Sequence, residues 1–177
     1  MGSGDVDVYQ IALDSHGNVW AVGGTTSKDM PITPGAIQTQ PALGFLAALS
    51  PDGSQLVYGS YLGTGDDTPV SLTIDSQDNI YIAGLTHSPS FAATPGAYRS
   101  TVTPGAVEIF VTKFDSVAQK VVYSTLLGPV SSDPYGAYGC CQMILDGTGD
   151  LYVASDTSRA DFPVTQAHTP IPGRTST

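Results

Sequence analysis

Ile11-Ala12-Leu13-Asp14-Ser15-His16-Gly17-Asn18-Val19-Trp20-Ala21-Val22-Gly23 is followed by two further versions of itself. These are Leu72-Thr73-Ile74-Asp75-Ser76-Gln77-Asp78-Asn79-Ile80-Tyr81-Ile82-Ala83-Gly84 and Met143-Ile144-Leu145-Asp146-Gly147-Thr148-Gly149-Asp150-Leu151-Tyr152-Val153-Ala154-Ser155. The anchoring aspartates, Asp14, Asp75 and Asp146, recur 61 and then 71 residues apart. Self-similarity at a long, near-constant spacing is the signature of a repeat architecture. Each copy reads as strand, turn, strand. The run before the aspartate is apolar, and the aspartate can bond the backbone two residues on. The glycine, aspartate or asparagine residues that follow tolerate positive φ. The next run, such as Ile80-Tyr81-Ile82-Ala83, is apolar again, so each copy predicts a hairpin with a short polar loop.

A second unit lies between these copies. Gly44 to Leu49, Ser50-Pro51-Asp52-Gly53, then Leu56-Val57-Tyr58-Gly59-Ser60-Tyr61-Leu62-Gly63 matches Ile109 to Asp115 and Val121 to Gly128. Pro51-Asp52-Gly53 is a strong turn signal, and this unit predicts another hairpin. A long loop joins the two kinds of hairpin. Within it Thr33-Pro34-Gly35-Ala36 recurs as Thr94-Pro95-Gly96-Ala97 and degenerates to Thr165-Gln166-Ala167-His168. Met30, Phe91 and Phe162 hold the same place ahead of it. The chain therefore predicts five hairpins, or about ten strands.

Two hairpins per repeat make a four-stranded antiparallel sheet, the size of a propeller blade. The strand patterns favour blades over a sandwich. In a sandwich one face of each sheet meets water, so apolar and polar residues alternate. Ile80 to Ala83 and Leu151 to Ala154 are apolar on both faces, as expected where sheets stack face to face. The fold expected is all-β: tandem four-stranded antiparallel blades of β-propeller type, about two and a half of them. The divisions expected are a tag-like or disordered stretch at 1–4, a first repeat at 5–67, a second at 68–133 and a partial third at 134–177.

The ordered set of motifs resembles the bacterial SBBP repeat, a β-propeller repeat of many secreted and surface proteins. It runs from the Asp-Ser-x-Gly-Asn-Val-Trp-Ala-Val-Gly-Gly-Thr stretch at Asp14 through Thr-Pro-Gly-Ala to the Leu-Ser-Pro-Asp-Gly-Ser-x-Leu-Val-Tyr-x-Ser-Tyr-Leu-Gly stretch at Leu49. The resemblance covers most of residues 5–165. It implies the fold and an extracellular or cell-surface setting in bacteria, and no particular chemistry. The third repeat is eroded, and Met1-Gly2-Ser3-Gly4 has neither the charged nor the apolar region of a signal peptide.

Composition narrows the function. The net charge is −10, with Lys+Arg 6. A nucleic-acid surface needs a basic footprint, and an anionic membrane surface attracts basic segments, so neither partner fits. The chain also lacks the run of about 20 apolar residues that a membrane-spanning helix requires. Charged residues make up 12% and apolar residues 41%, unlike a disordered chain. Gly 20 and Pro 13 fall between apolar runs as turn punctuation.

Candidate chemical residues are few. His16, His87 and His168 sit at different repeat positions and read as solvated loop residues, not a three-histidine metal site. Recurrence of Asp14, Asp75 and Asp146 argues for turn-making, since a catalytic residue is needed once. Asp66, Asp67 and Asp133 fall in inter-hairpin loops where a hard cation such as calcium is conceivable, though their spacing matches no known loop. Cys140 and Cys141 are adjacent; neighbours rarely bridge, and Cys141, aligned with Tyr9 and Val70, reads as a buried thiol. Trp20, Tyr81 and Tyr152 are equivalent and read as repeat core. There is no nucleophile elbow, phosphate loop, dinucleotide fingerprint or zinc motif.

The expectation is a protein with no catalytic, metal or cofactor residues. It is a structural or interaction module that uses its long loops as contact surface. Its partners are other blades of the same propeller or further copies of itself, met through open blade edges, since so few blades do not close a ring of roughly four to eight. The alternative is a ligand-binding propeller, with carbohydrate or calcium at the loop face, which exposed aromatic residues on the long loops, such as Tyr98 beside Ile37, would favour. A propeller hydrolase or lyase ranks last.

Overall fold

A computed structural model of the chain describes residues 4–117, 119–131 and 140–163. The described residues form strands and no helix, and all the strand pairing is antiparallel. The first sheet has the order β1 (Val6–Leu13), β2 (Val19–Thr25), β3 (Gly44–Leu49), β4 (Leu56–Leu62). The second has β5 (Asp67–Ile74), β6 (Asn79–Thr86), β7 (Val107–Asp115), β8 (Lys120–Ser131). A third, two-stranded sheet pairs β9 (Gln142–Leu145) with β10 (Leu151–Ala154). The sequential up-and-down order follows from short hairpin turns, since antiparallel neighbours need only a few residues to connect.

Register repeats as faithfully as sequence. Leu13 faces Val19 and Val19 faces Leu49 in the first sheet; Ile74 faces Ile80 and Ile80 faces Phe114 in the second. Both innermost strands carry a bulge at the same place, at Tyr9 in β1 and Val70 in β5. The bulge pushes a backbone carbonyl over the next strand. A Cβ at Gly23 would run into the carbonyl of Asp7, and one at Gly84 into that of Thr68. Glycine closes both copies of the motif for that reason.

The sheets stack face on face. One core joins the first and second: Trp20, Val22, Leu46, Ala48 and Tyr58 meet Leu72, Ile80, Ile82, Phe110 and Phe114. Rings bridge the junction, with Trp20 to Tyr58 centroids at 5.4 Å and Tyr58 to Phe114 at 5.2 Å. A second core joins the second and third sheets, where Ala83, Ile109, Val111 and Val130 meet Met143, Leu151 and Val153. The second sheet is therefore buried on both faces, which is what its unbroken apolar runs require.

The outer edges of the first two sheets are not bare. The long loop of each repeat folds back along the last strand. Thr33 N–H donates to Gly59 O and Gly59 N–H to Thr33 Oγ1; Thr94 and Ser124 repeat this pair of bonds. Tyr61 N–H then donates to Gln38 O, and Leu126 N–H to Arg99 O. An unpaired strand edge is a template for aggregation, and the Thr-Pro-Gly-Ala loop covers it. The loops thus cover the β4 and β8 edges, and the sheet edges at β1, β5 and β10 have no such cover in the strand order.

Candidate functional site

The most repeated polar device is an aspartate clamp. Asp14 Oδ1 accepts from His16 N–H at 3.0 Å and Asn18 N–H at 2.8 Å; its Oδ2 accepts from Asn18 Nδ2 at 2.8 Å and Trp20 Nε1 at 2.9 Å. Asp75 does the same with Gln77, Asn79 and the Tyr81 hydroxyl. Asp146 does it with Thr148, Asp150 and, at 3.4 Å, the Tyr152 hydroxyl. The three turns share φ > 0 at Gly17, Asp78 and Gly149, the left-handed third residue of a three-residue hairpin loop. Burial raises the Asp14 and Asp75 carboxyls, but the hydrogen bonds they accept outweigh it and leave both below the usual aspartate value. Asp146 is lowered chiefly by the Thr148 hydroxyl. An acceptor committed to four donors fastens its turn.

Lys113 adds to the second clamp. Its Nζ lies 3.5 Å from Asp75 Oδ2 and 4.8 Å from the centre of the Tyr81 ring. Desolvation pulls the ammonium down, yet Tyr81 and Asp75 leave it raised overall.

A latch crosses the first junction. Asp78 accepts from Ser15 N–H at 2.8 Å and Ser15 Oγ at 2.6 Å, with His16 Nδ1 at 3.4 Å. Asp78 holds φ 61°, a strained region for a residue with a Cβ, at the position where the other copies have Gly17 and Gly149. The latch accounts for its presence there.

The long loops are pinned from below. Tyr58 OH accepts from Ile37 N–H, and Tyr61 OH accepts from Met30 N–H and donates to Ser27 O. In the second repeat a buried Glu108 takes Arg99 in a two-pronged ion pair at 3.0 and 3.1 Å and Thr103 N–H at 2.6 Å. Tyr98 stands exposed beside this anchor. Between the first two sheets, on the loop side, lies a cavity of about 100 Å³ walled by Ile37, Phe91, Phe110, Val121 and Asp67.

The remaining sequence candidates do not converge. His16 is absorbed in the latch, and His87 Nε2 pairs with Asp66 Oδ2 at 3.1 Å on the surface. Asp67 is buried and turns inward, its Oδ2 accepting from Thr64 N–H at 2.8 Å. Asp66 and Asp67 are thus engaged separately, and among the described residues no three His, Cys, Asp or Glu gather as a metal site. Asp133 and His168 lie outside the described residues. Trp20 and Tyr81 are core, whereas Tyr152 is exposed.

Cys141 is buried in the second core as expected, and Cys140 is buried beside it with the two sulfurs in contact. In a strand neighbouring side chains point to opposite faces. Cys141 instead has φ 73°, at the position of the bulged Tyr9 and Val70, so the alternation is interrupted there.

Antiparallel four-stranded sheets, repeated in register and stacked face on face, define an all-β protein of propeller-type repeats. Residues 57–91 match the SBBP family model, a beta-propeller repeat. That stretch runs from β4 through the Asp75 clamp to Phe91. A search of curated proteins finds no match to the chain.

Proposed function

We propose that the chain is a non-catalytic structural and interaction module, working outside the cytoplasm and presenting its long loops as contact surface. The observation that carries this reading is the use made of the polar residues. The carboxylates that recur fasten turns, and Thr33, Thr94, Tyr58, Tyr61 and Glu108 hold the loops against the outer strands. A rigid scaffold under anchored loops suits recognition. Immunoblotting of fractionated cells tests the location: the chain in an extracytoplasmic fraction supports it, and the chain in the cytoplasm contradicts it.

The second reading, a ligand-binding propeller, draws on exposed Tyr98 over the Arg99–Glu108 anchor. A glycan array and a melting series with calcium separate the two. The scaffold reading expects no glycan signal and no calcium shift. Binding that Tyr98→Ala abolishes would favour the ligand reading.

A further inference from the structure

The two end faces of the stack are repeat counterparts of the two faces that meet inside it. On the first sheet, the face turned away from the second carries Ile11, Leu13 and Leu49, exposed at 60%, 64% and 43%. They lie in cross-strand rows, Ile11 beside Ala21, and Leu13 beside Val19 beside Leu49. One repeat later the same rows are Leu72 beside Ile82, and Ile74 beside Ile80 beside Phe114. There Leu72 and Ile82 are 1% exposed, and Ile80 and Phe114 are 0%. Position and apolar chemistry agree and burial is opposite, because the second sheet's rows lie under the Trp20–Tyr58 layer of the first.

The other end supplies such a layer. In β9 and β10, Met143, Leu151 and Val153 turn into the second core. Ile144 and Tyr152, paired across the strands, turn outward at 66% and 57% exposed. Tyr152 is the counterpart of Trp20, which helps cover Leu72 and Phe114 inside the chain.

We propose that these faces dock head to tail: the Ile144–Tyr152 face of one chain covers the Ile11–Leu13–Leu49 face of a second copy. The contact continues the interface already formed between the first and second sheets, with Tyr152 in the place of Trp20 and Ile11 in the place of Leu72. It rests on the scaffold reading and names that scaffold's partner. The two faces differ, so the contact is heterologous, and copies add until a ring closes or a filament grows. Contiguous exposed apolar surface on a water-soluble sheet marks an interaction site.

The test is light scattering behind a sizing column, over a concentration series, on the full 177-residue chain. The wild type gains mass in whole-chain steps. Ile11→Lys/Leu13→Lys blocks one face and Ile144→Lys the other; all three side chains are exposed in the single chain, so circular dichroism stays unchanged. Burying an unpaired lysine weakens association by about 100-fold or more. Each variant alone runs as a monomer, and an equimolar mixture forms a dimer that grows no further, since one pair of intact faces remains. A wild-type monomer at every concentration overturns the proposal. So does an Ile144→Lys chain that associates like wild type, or a mixture that stays monomeric. None of these outcomes touches the scaffold reading, which the glycan and calcium experiments judge separately.

Discussion

The second sheet and the first are built from the same motifs and end in different environments. In the second, both faces are covered, and Ile80, Ile82, Ala83, Phe114 and Val111 are all buried. In the first, the face bearing Trp20, Val22, Leu46 and Ala48 is buried, whereas Ile11, Leu13 and Leu49 on the other stand exposed, and β1 is exposed along most of its length. The difference is not one of strand propensity, since the sequences are near-copies. It teaches that stability here is a property of junctions between sheets, as in other repeat proteins, where each unit leans on its neighbours.

Substitution at matched positions gives the sharpest contrast. Phe114→Ala should cost roughly 3–5 kcal/mol by chemical denaturation, the range for deleting a buried aromatic. Leu49→Ala, its counterpart on the open face, should cost less than about 1 kcal/mol in the monomeric chain. Equal losses would break the comparison.

The clamps come next. Asp75→Ala strips two backbone N–H groups, Asn79 and Tyr81 of a shared carboxylate and leaves Lys113 without its ion pair. A loss of about 2 kcal/mol is expected, from the usual worth of hydrogen bonds to a charged group. Asp146→Ala should lower the melting temperature less, because its turn is exposed and Tyr152 lies at the limit of hydrogen-bond length. Thermal melts of the two variants decide the order.

Acid should act through the same groups. Asp14, Asp75 and Asp146 lie below the ordinary aspartate value of 3.8 in the folded chain, and Asp52, held by Ser50 and Ser54, falls to about 2. Folded values below unfolded ones mean the unfolded chain binds more protons in acid. The stability they lend is complete above pH 3.8 and is lost as pH falls through the folded values. Melting temperature should therefore drop between pH 4 and pH 2, by a smaller amount in Asp75→Asn. A flat profile would contradict the clamp.

The smallest effect belongs to the latch. Asp78→Gly releases a strained backbone at φ 61° but loses both bonds from Ser15. These opposing changes, each of order 1 kcal/mol, should nearly cancel. Asp78→Ala keeps the strain and loses the bonds, so it should melt lower than Asp78→Gly. The reverse order would remove the latch from the account.

The hairpins were legible because turn chemistry is local: Asp14, Asp75 and Asp146 each sit where an i to i+2 bond and a following positive φ are written in consecutive residues. The Thr-Pro-Gly-Ala loops were legible as repeats, but not as edge covers. Pairing of Thr33 with Gly59 depends on how far the loop folds back, which no spacing encodes. The tie from each clamp to Trp20, Tyr81 or Tyr152 had a signal, a hydrogen-bonding aromatic six residues after every aspartate, hidden by reading those rings as core alone. The Ser15–Asp78 latch and the Cys140–Cys141 contact had less. One joins turns of different sheets, and the other depends on a left-handed residue inside what reads as a strand.

Native-state hydrogen exchange, at a concentration where the chain is monomeric, tests the central claim most directly. The account predicts that amides of β6 and β7, in the sheet covered on both faces, exchange slowest, and that those of β1 and of β9–β10 exchange much faster. Protection in β1 equal to that in β6 would contradict it.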